Sequence, residues 1–259
     1  MAVATRTTTS LAAPFTQAQL STALQTAFTN AGFSSLFDSF TSGTDLVFVY
    51  ALVTDGSKSF GTTYLRVRIT NTFIVNQAVY STWNATTHTG TGNSTEVTYS
   101  TLLSTANVTF NALSAGTEAR LVMVTQGTTF LPLGIIAPTI LRSSWNLNTY
   151  TCGFIFTAST MLVLRGTTAN QTNTTDNDIA LAGSSRLGTA NVVDNERDLL
   201  AGWILLNQSG QGFIGKTSDD LAIVSASGST RFDTIIKSGT SQQYLIVSTG
   251  TGGLAVRIL

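Results

Sequence analysis

The sequence predicts a mainly β protein: an antiparallel sandwich or barrel fold, preceded by a short N-terminal arm and one amphipathic helix. Three observations carry that expectation. From Asp45 onward, apolar residues recur at every second position or in short continuous runs, separated by clusters of Gly, Asn, Ser and Thr. Threonine, a β-branched residue suited to a pleated surface, supplies close to a fifth of the 259 residues. Helical spacing of apolar residues is strong in one segment, near the N-terminus.

In chain order, residues 1–13 are small and polar and read as an extended arm. After Pro14, the segment Phe15–Gly32 reads as a helix. Thr16 and Gln19 form a capping box, and Phe15 and Leu20 are placed for a hydrophobic staple. Leu20, Ala23, Leu24, Ala27, Phe28 and Ala31 make one apolar stripe, and Gly32 supplies the left-handed stop. Residues 46–53 form a continuous apolar run, read as a strand buried on both faces. Residues 64–70 alternate Leu65, Val67 and Ile69 with Arg66 and Arg68, as a half-exposed strand does. Further strands are expected at 73–80, 96–102, 107–113, 119–125, 150–157 and 161–165, then near 211–215, 221–225, 232–236, 243–248 and 254–259. The polar stretch 166–177 is the expected linker or loop. It gives three parts: an arm and helix at 1–44, a sandwich-like domain at 45–165 and a second β domain at 178–259.

Composition excludes several function classes. Charged residues make up 10% of the chain, and 13 basic residues balance 13 acidic ones, so there is no polycationic face for nucleic acid. A surface of hydroxyls and amides with no net charge suits a subunit that packs into an assembly, where each exposed charge would have to be desolvated or paired. No apolar run reaches the roughly 18 residues of a membrane-spanning helix. The start carries Arg6 but no apolar stretch of signal-peptide length, from which we expect synthesis in the cytoplasm. Cys152 is the only cysteine and reads as a buried structural thiol. The Asn-x-Ser/Thr triplets at Asn84, Asn107 and Asn207 read as chance products of a Thr- and Asn-rich chain.

Chemical motifs are few. Gly210–Thr217 matches the G-x-x-x-x-G-K-[ST] pattern of a phosphate-binding loop, which needs a helix to follow the lysine. The β-branched Ile223 and Val224 and then Gly228 are poor helix material, so the expectation is a glycine-rich turn between strands. His88 is the sole histidine and has no carboxylate near it in sequence, so it reads as a solvated loop residue rather than the base of a triad. Asp176, Asp178, Asp219 and Asp220 lack the ligand spacing of a calcium loop and read as turn or cap residues. No catalytic, cofactor or metal residues are assigned. Trp83, Trp145 and Tyr80 form the candidate aromatic platform for a sugar, against the simpler reading of core or interface residues.

The Phe15–Gly32 helix, the strand Tyr64–Thr70, the loop Trp83–Asn93 and the Thr/Ser/Gly/Asn-rich β remainder resemble virion structural proteins of tailed bacteriophages, above all tail, baseplate and fibre components. The resemblance is one of style and carries no diagnostic motif. It implies a non-enzymatic subunit without a cofactor, made in the host cytoplasm and built into the virion beside copies of itself and other virion proteins. A capsid decoration protein and a carbohydrate-binding receptor module, which would meet a host surface glycan, are the alternatives. The arm 2–12 is expected to cross to an adjacent subunit.

Overall fold

The computed structural model describes residues 3–34, 36–53, 62–94, 96–116, 119–136, 140–141, 150–156, 161–165, 171–172, 196–197, 199–200, 205–208, 212–216, 220–224, 229–248 and 253–259. As the alternating patterns predict, it is mainly antiparallel β sheet. The chain divides into two units, one of Arg6–Ala137 with Asn146–Thr172, the other of Met1–Thr5, Pro138–Trp145 and Asn173–Leu259.

The first unit begins at the second residue of β1 (Thr5–Leu11), followed by α1 (Gln17–Asn30), β2 (Asp38–Ser42), β3 (Asp45–Val53), β4 (Thr62–Ile69) and β5 (Val75–Tyr80). A small hairpin, β6 (Thr82–Asn84) and β7 (Thr89–Thr91), precedes β8 (Val97–Thr98). Then come β9 (Val108–Ala115), β10 (Ala119–Gln126) and β11 (Thr129–Ile136). After β12 (Ile140–Leu141), which belongs to the other unit, the first unit ends with β13 (Tyr150–Phe156), β14 (Met161–Arg165) and β15 (Gln171–Thr172). Two sheets result, one in the order β2-β3-β4-β5-β8 and one in the order β1-β9-β10-β11-β13-β14-β15.

The helix forms as its sequence dictates. The Thr16 hydroxyl accepts the Gln19 N–H, and the Gln19 side chain accepts the Thr16 N–H at 2.8 Å, completing the capping box. At the other end, the Gly32 N–H donates to the Thr29 carbonyl and the Phe33 N–H to that of Phe28, a Schellman closure around Gly32 at φ 90°. Thr22, Thr26 and Thr29 are weak helix formers, costing about 0.5 kcal/mol each against Ala. Full burial of Leu20, Leu24 and Phe28 contributes about 2 kcal/mol apiece and outweighs them. Phe28 meets Phe33, Phe48 and Tyr50 at ring separations of 4.9, 5.9 and 5.2 Å.

The core lies between the sheets. Phe48, Tyr50 and Leu52 from β3, Leu65, Val67 and Ile69 from β4, and Val122, Val124, Leu131 and Leu133 from β10 and β11 share it with the helix. The strict alternation of exposure along β4 places Arg66 and Arg68 on the outer face. One polar side chain crosses the core. Gln77 of β5 accepts the Gly134 N–H at 3.0 Å and donates to the Pro132 carbonyl at 3.0 Å, so its carboxamide joins one sheet to a strand of the other. Its Nε2 also meets the Tyr99 hydroxyl, which itself donates to the Pro132 carbonyl. Burial pushes the Tyr99 phenol well above its ordinary range and keeps it a donor.

The second unit adds β16 (Glu196–Arg197), β17 (Leu199–Leu200), β18 (Leu205–Gln208), β19 (Gly212–Lys216), β20 (Leu221–Val224), β21 (Thr234–Lys237), β22 (Gln243–Ser248) and β23 (Gly253–Arg257). One sheet has the order β12-β19-β18 and the other β16-β21-β22-β23-β20-β17, antiparallel except for the β16–β21 pair. Its core is Ala222, Val224, Ile235, Tyr244, Ile246 and Ala255. Asp220 is tied to Arg257 at 3.3 Å, and the Ala4 N–H donates to the Arg257 carbonyl at 3.0 Å.

Several expectations change. The arm and helix are not a separate part at 1–44: α1 packs into the sandwich core, and residues 5–11 form an edge strand of the same chain. The strand expected at 96–102 shortens to two residues, because Tyr99 turns inward to Gln77. Strand β11 is absent from the sequence reading, since Pro132 and Gly134 interrupt its pattern. Of Gly210–Thr217, expected as a turn, the described residues are Gly212–Lys216. These are an extended strand, with Lys216 opposite both Leu205 and Ile140, which is not the loop that cradles phosphates.

Candidate functional site

The outer face of the β2-β3-β4-β5-β8 sheet gathers a cluster of ionisable and aromatic side chains. The β6–β7 hairpin folds over it, and its shape follows from local sequence. Asn84 accepts the N–H groups of Thr86 and Thr87 at 2.9 and 3.2 Å, and His88 takes a left-handed φ of 54° that returns the chain. Gly90 then passes beneath two rings. A Cβ there would lie 2.4 Å from Tyr80 and 2.7 Å from Trp83, so the hairpin settles on the sheet only with glycine.

Asp38 is the anchor of this cover. Its buried carboxylate accepts the Trp83 indole N–H at 2.8 Å and lies 3.0 Å from His88 Nδ1 at the same oxygen. His88 stacks on Phe40 with ring centres 4.1 Å apart, and Tyr80 meets Trp83 edge-on at 5.0 Å. His88 is the exposed loop residue its sequence suggests, its side chain 42% exposed, and what the sequence does not show is that Asp38, 50 residues away, lies beside it in space. The pair has the Asp–His part of a catalytic triad, but the same carboxylate oxygen also holds Trp83. Its geometry fastens the hairpin to β2.

Farther along the face, Glu96 joins two cations. Arg66 and Arg68 each reach one of its oxygens, and Arg68 also meets Asp45 at 2.8 Å. The Glu96 hydrogen bond, then that of Asp45, holds the Arg68 guanidinium above its ordinary range against a partial desolvation. The Arg66 guanidinium also lies 5.3 Å from the Tyr80 ring centre, linking the ion pairs to the aromatic cluster. The charges cancel, two against two. Beside them, Asn76 is 1% exposed with both side-chain polar atoms unpartnered, as is Arg66 Nε.

The sequence-derived candidates separate. Trp83 and Tyr80 come together but are 8% and 7% exposed, with their rings turned on each other and on Gly90 rather than open as a platform. Trp145, Asp176, Asp178, Asp219 and the Cys152 side chain lie outside the described residues. Phe37 is an exposed phenyl ring of this face, 43% exposed and edge-on to Tyr64 at 5.1 Å. Among the described residues, no three His, Cys, Asp or Glu side chains are grouped to hold a metal ion, and no helix is long and apolar enough to cross a membrane. Sequence reading missed Asp38, Phe40 and Glu96. The spacing of Asp38 and Phe40, two apart and so on one strand face, is the signal present, but it acquires meaning only when residues 38–42 are known to pair with β3.

No family model matches the chain, and no curated protein matches it.

Proposed function

We propose that this protein is a non-enzymatic structural subunit of a tailed-phage particle, a tail, baseplate or fibre component that assembles with copies of itself and with other virion proteins. The observation that supports this most is how the outer face of the first unit uses its functional groups. Asp38, Trp83, His88, Arg66, Arg68, Glu96 and Asp45 are bonded to one another as fastenings between strands. A structure-holding role for ionisable groups, a neutral and hydroxyl-rich composition and a polar edge strand, β1, are what a packed subunit needs. The test is the mass of the full chain by light scattering over a wide dilution series. Self-association at the highest concentrations is expected, and a monomer throughout contradicts the reading.

A further inference from the structure

We propose that β1 is exchanged between copies of this chain, so that residues 5–11 of one molecule pair with β9 of its neighbour in place of the neighbour's own β1. The proposal rests on the structural-subunit reading and names the surface through which copies join. It follows from an asymmetry between the strand and its seat. None of the seven residues of β1 is buried, whereas six of the eight residues of β9 are. The seat is buried, and the strand laid on it is exposed along its length. Within β9, Asn111 is buried and aims Oδ1 at the arm, where it accepts from Arg6 Nε at 3.1 Å, Arg6 Nη2 at 2.7 Å and the Thr8 hydroxyl at 3.1 Å.

Each of these bonds re-forms unchanged when the arm comes from a second copy, because the occupant has the same sequence. Exchange therefore alters the connection and not the contacts, the condition under which strand swapping is easy. The connection is short: four residues, Ala12 to Phe15, separate β1 from the N-cap Thr16. In an assembly the neighbour's seat stands at a high effective concentration, as the chain's own seat does in a free monomer.

A second feature marks where the neighbour arrives. Leu103 is 61% exposed, yet its loop is clamped: the Leu103 N–H donates to Gln126 Oε1 at 2.6 Å, and Gln126 Nε2 donates to the carbonyls of Leu103 and Ala106, each at 2.8 Å. The same loop holds the connection, through Phe15 N–H to the Ser104 carbonyl at 3.1 Å and Ala13 N–H to Asn107 Oδ1 at 2.9 Å. A single exposed leucine means little by itself. Held rigidly beside the point from which an arm would leave, it supplies the apolar contact of a chain that has given its arm away.

The experiment uses the full chain with Cys152→Ala and Thr7→Cys, the latter on an exposed arm position and carrying a benzophenone. Isotopically heavy and light chains are mixed under denaturing conditions and refolded together at concentrations where association is seen. Irradiation and peptide mapping should then give hybrid cross-links joining a light arm to a heavy β9 peptide, in about half of the exchanged pairs of an equal mixture. A Thr8→Cys/Asn111→Cys chain that also carries Cys152→Ala, oxidised in the assembled state, should run as covalent dimers or larger species on a denaturing gel. Oligomers whose cross-links stay within single chains overturn the exchange and leave the subunit reading standing. A monomer at every concentration overturns both.

Discussion

Replacing Gly134 by alanine is expected to unfold the first unit or to remove most of its stability. Gly134 sits at φ 122°, and a Cβ added there would lie 2.1 Å from the Arg120 carbonyl oxygen and 2.9 Å from the Leu121 Cα. Both obstacles are backbone of the paired strand β10, so no rotamer change relieves them. Left-handed strain of roughly 1–3 kcal/mol adds to overpacking of a further 1–3 kcal/mol or more. That sum is a large part of the 5–15 kcal/mol that holds an ordinary domain together. Gly127, in the turn of the same hairpin, provides the control. It too has a positive φ, 56°, but nothing lies within 4 Å of its Cβ position, so Gly127→Ala should cost only about 1 kcal/mol. Urea denaturation followed by amide exchange in peptides from residues 108–136 separates the two. Equal losses would show that close approach at Gly134 is not what requires glycine.

Gln77→Leu is the second large loss. The leucine fills the space, but the buried N–H of Gly134 loses its acceptor and the Pro132 carbonyl keeps the Tyr99 hydroxyl while losing the amide. Orphaned buried groups of this kind cost about 1–3 kcal/mol each, so a loss of roughly 2–4 kcal/mol is expected in the same urea measurement. Gln77→Glu gives the electrostatic signature. A neutral acid can still accept from Gly134 and donate to Pro132, whereas a carboxylate in the core faces a carbonyl without a proton between them. Burial raises the folded pKa above the unfolded value of about 4.3. The variant's stability is therefore fully present below that value and lost as pH rises through the folded pKa. A Gln77→Glu loss that does not change between pH 4 and pH 7 would place the side chain in contact with water instead of in the core.

These two residues show what was legible in the sequence and what was not. The helix could be read to its caps because the Thr16–Gln19 box and the Gly32 stop are local, a few residues from the turns they shape. Strand β4 could be read because alternation is a one-strand property, and its outward arginines do line one face. Strand β11 could not. Pro132 and Gly134 are breakers by local rules, and the partner that makes them acceptable, Gln77, is 55 residues from Pro132. A side-chain amide takes the place of a neighbouring strand, binding a carbonyl and the N–H two residues on, which lie on the same side of an extended chain.

The site divides in the same way. Trp83 and Tyr80 were visible as aromatic residues near a strand, but whether their rings faced solvent depended on a hairpin closing over them through Gly90. The Asp38–His88 contact required two segments 50 residues apart. The arm was legible as extended, not as an edge strand of its own sheet, because six polar residues before Leu11 give no alternating apolar face to read. Its partner signal is Asn111, a buried polar residue in β9, which means little until the strand beside it is known.

Whether these fastenings and the edge strand β1 belong to a subunit of a particle can be seen by locating the chain on particles. Gold-labelled antibody raised against the full protein would be applied to intact particles released from the cells that produce it, and viewed by electron microscopy. The account predicts label on the tail or its distal apparatus, in the repeated copies of a symmetric assembly. Label spread over the shell would favour a decoration protein over a tail component, and particles that carry no label, intact or disrupted, would contradict the structural-subunit account.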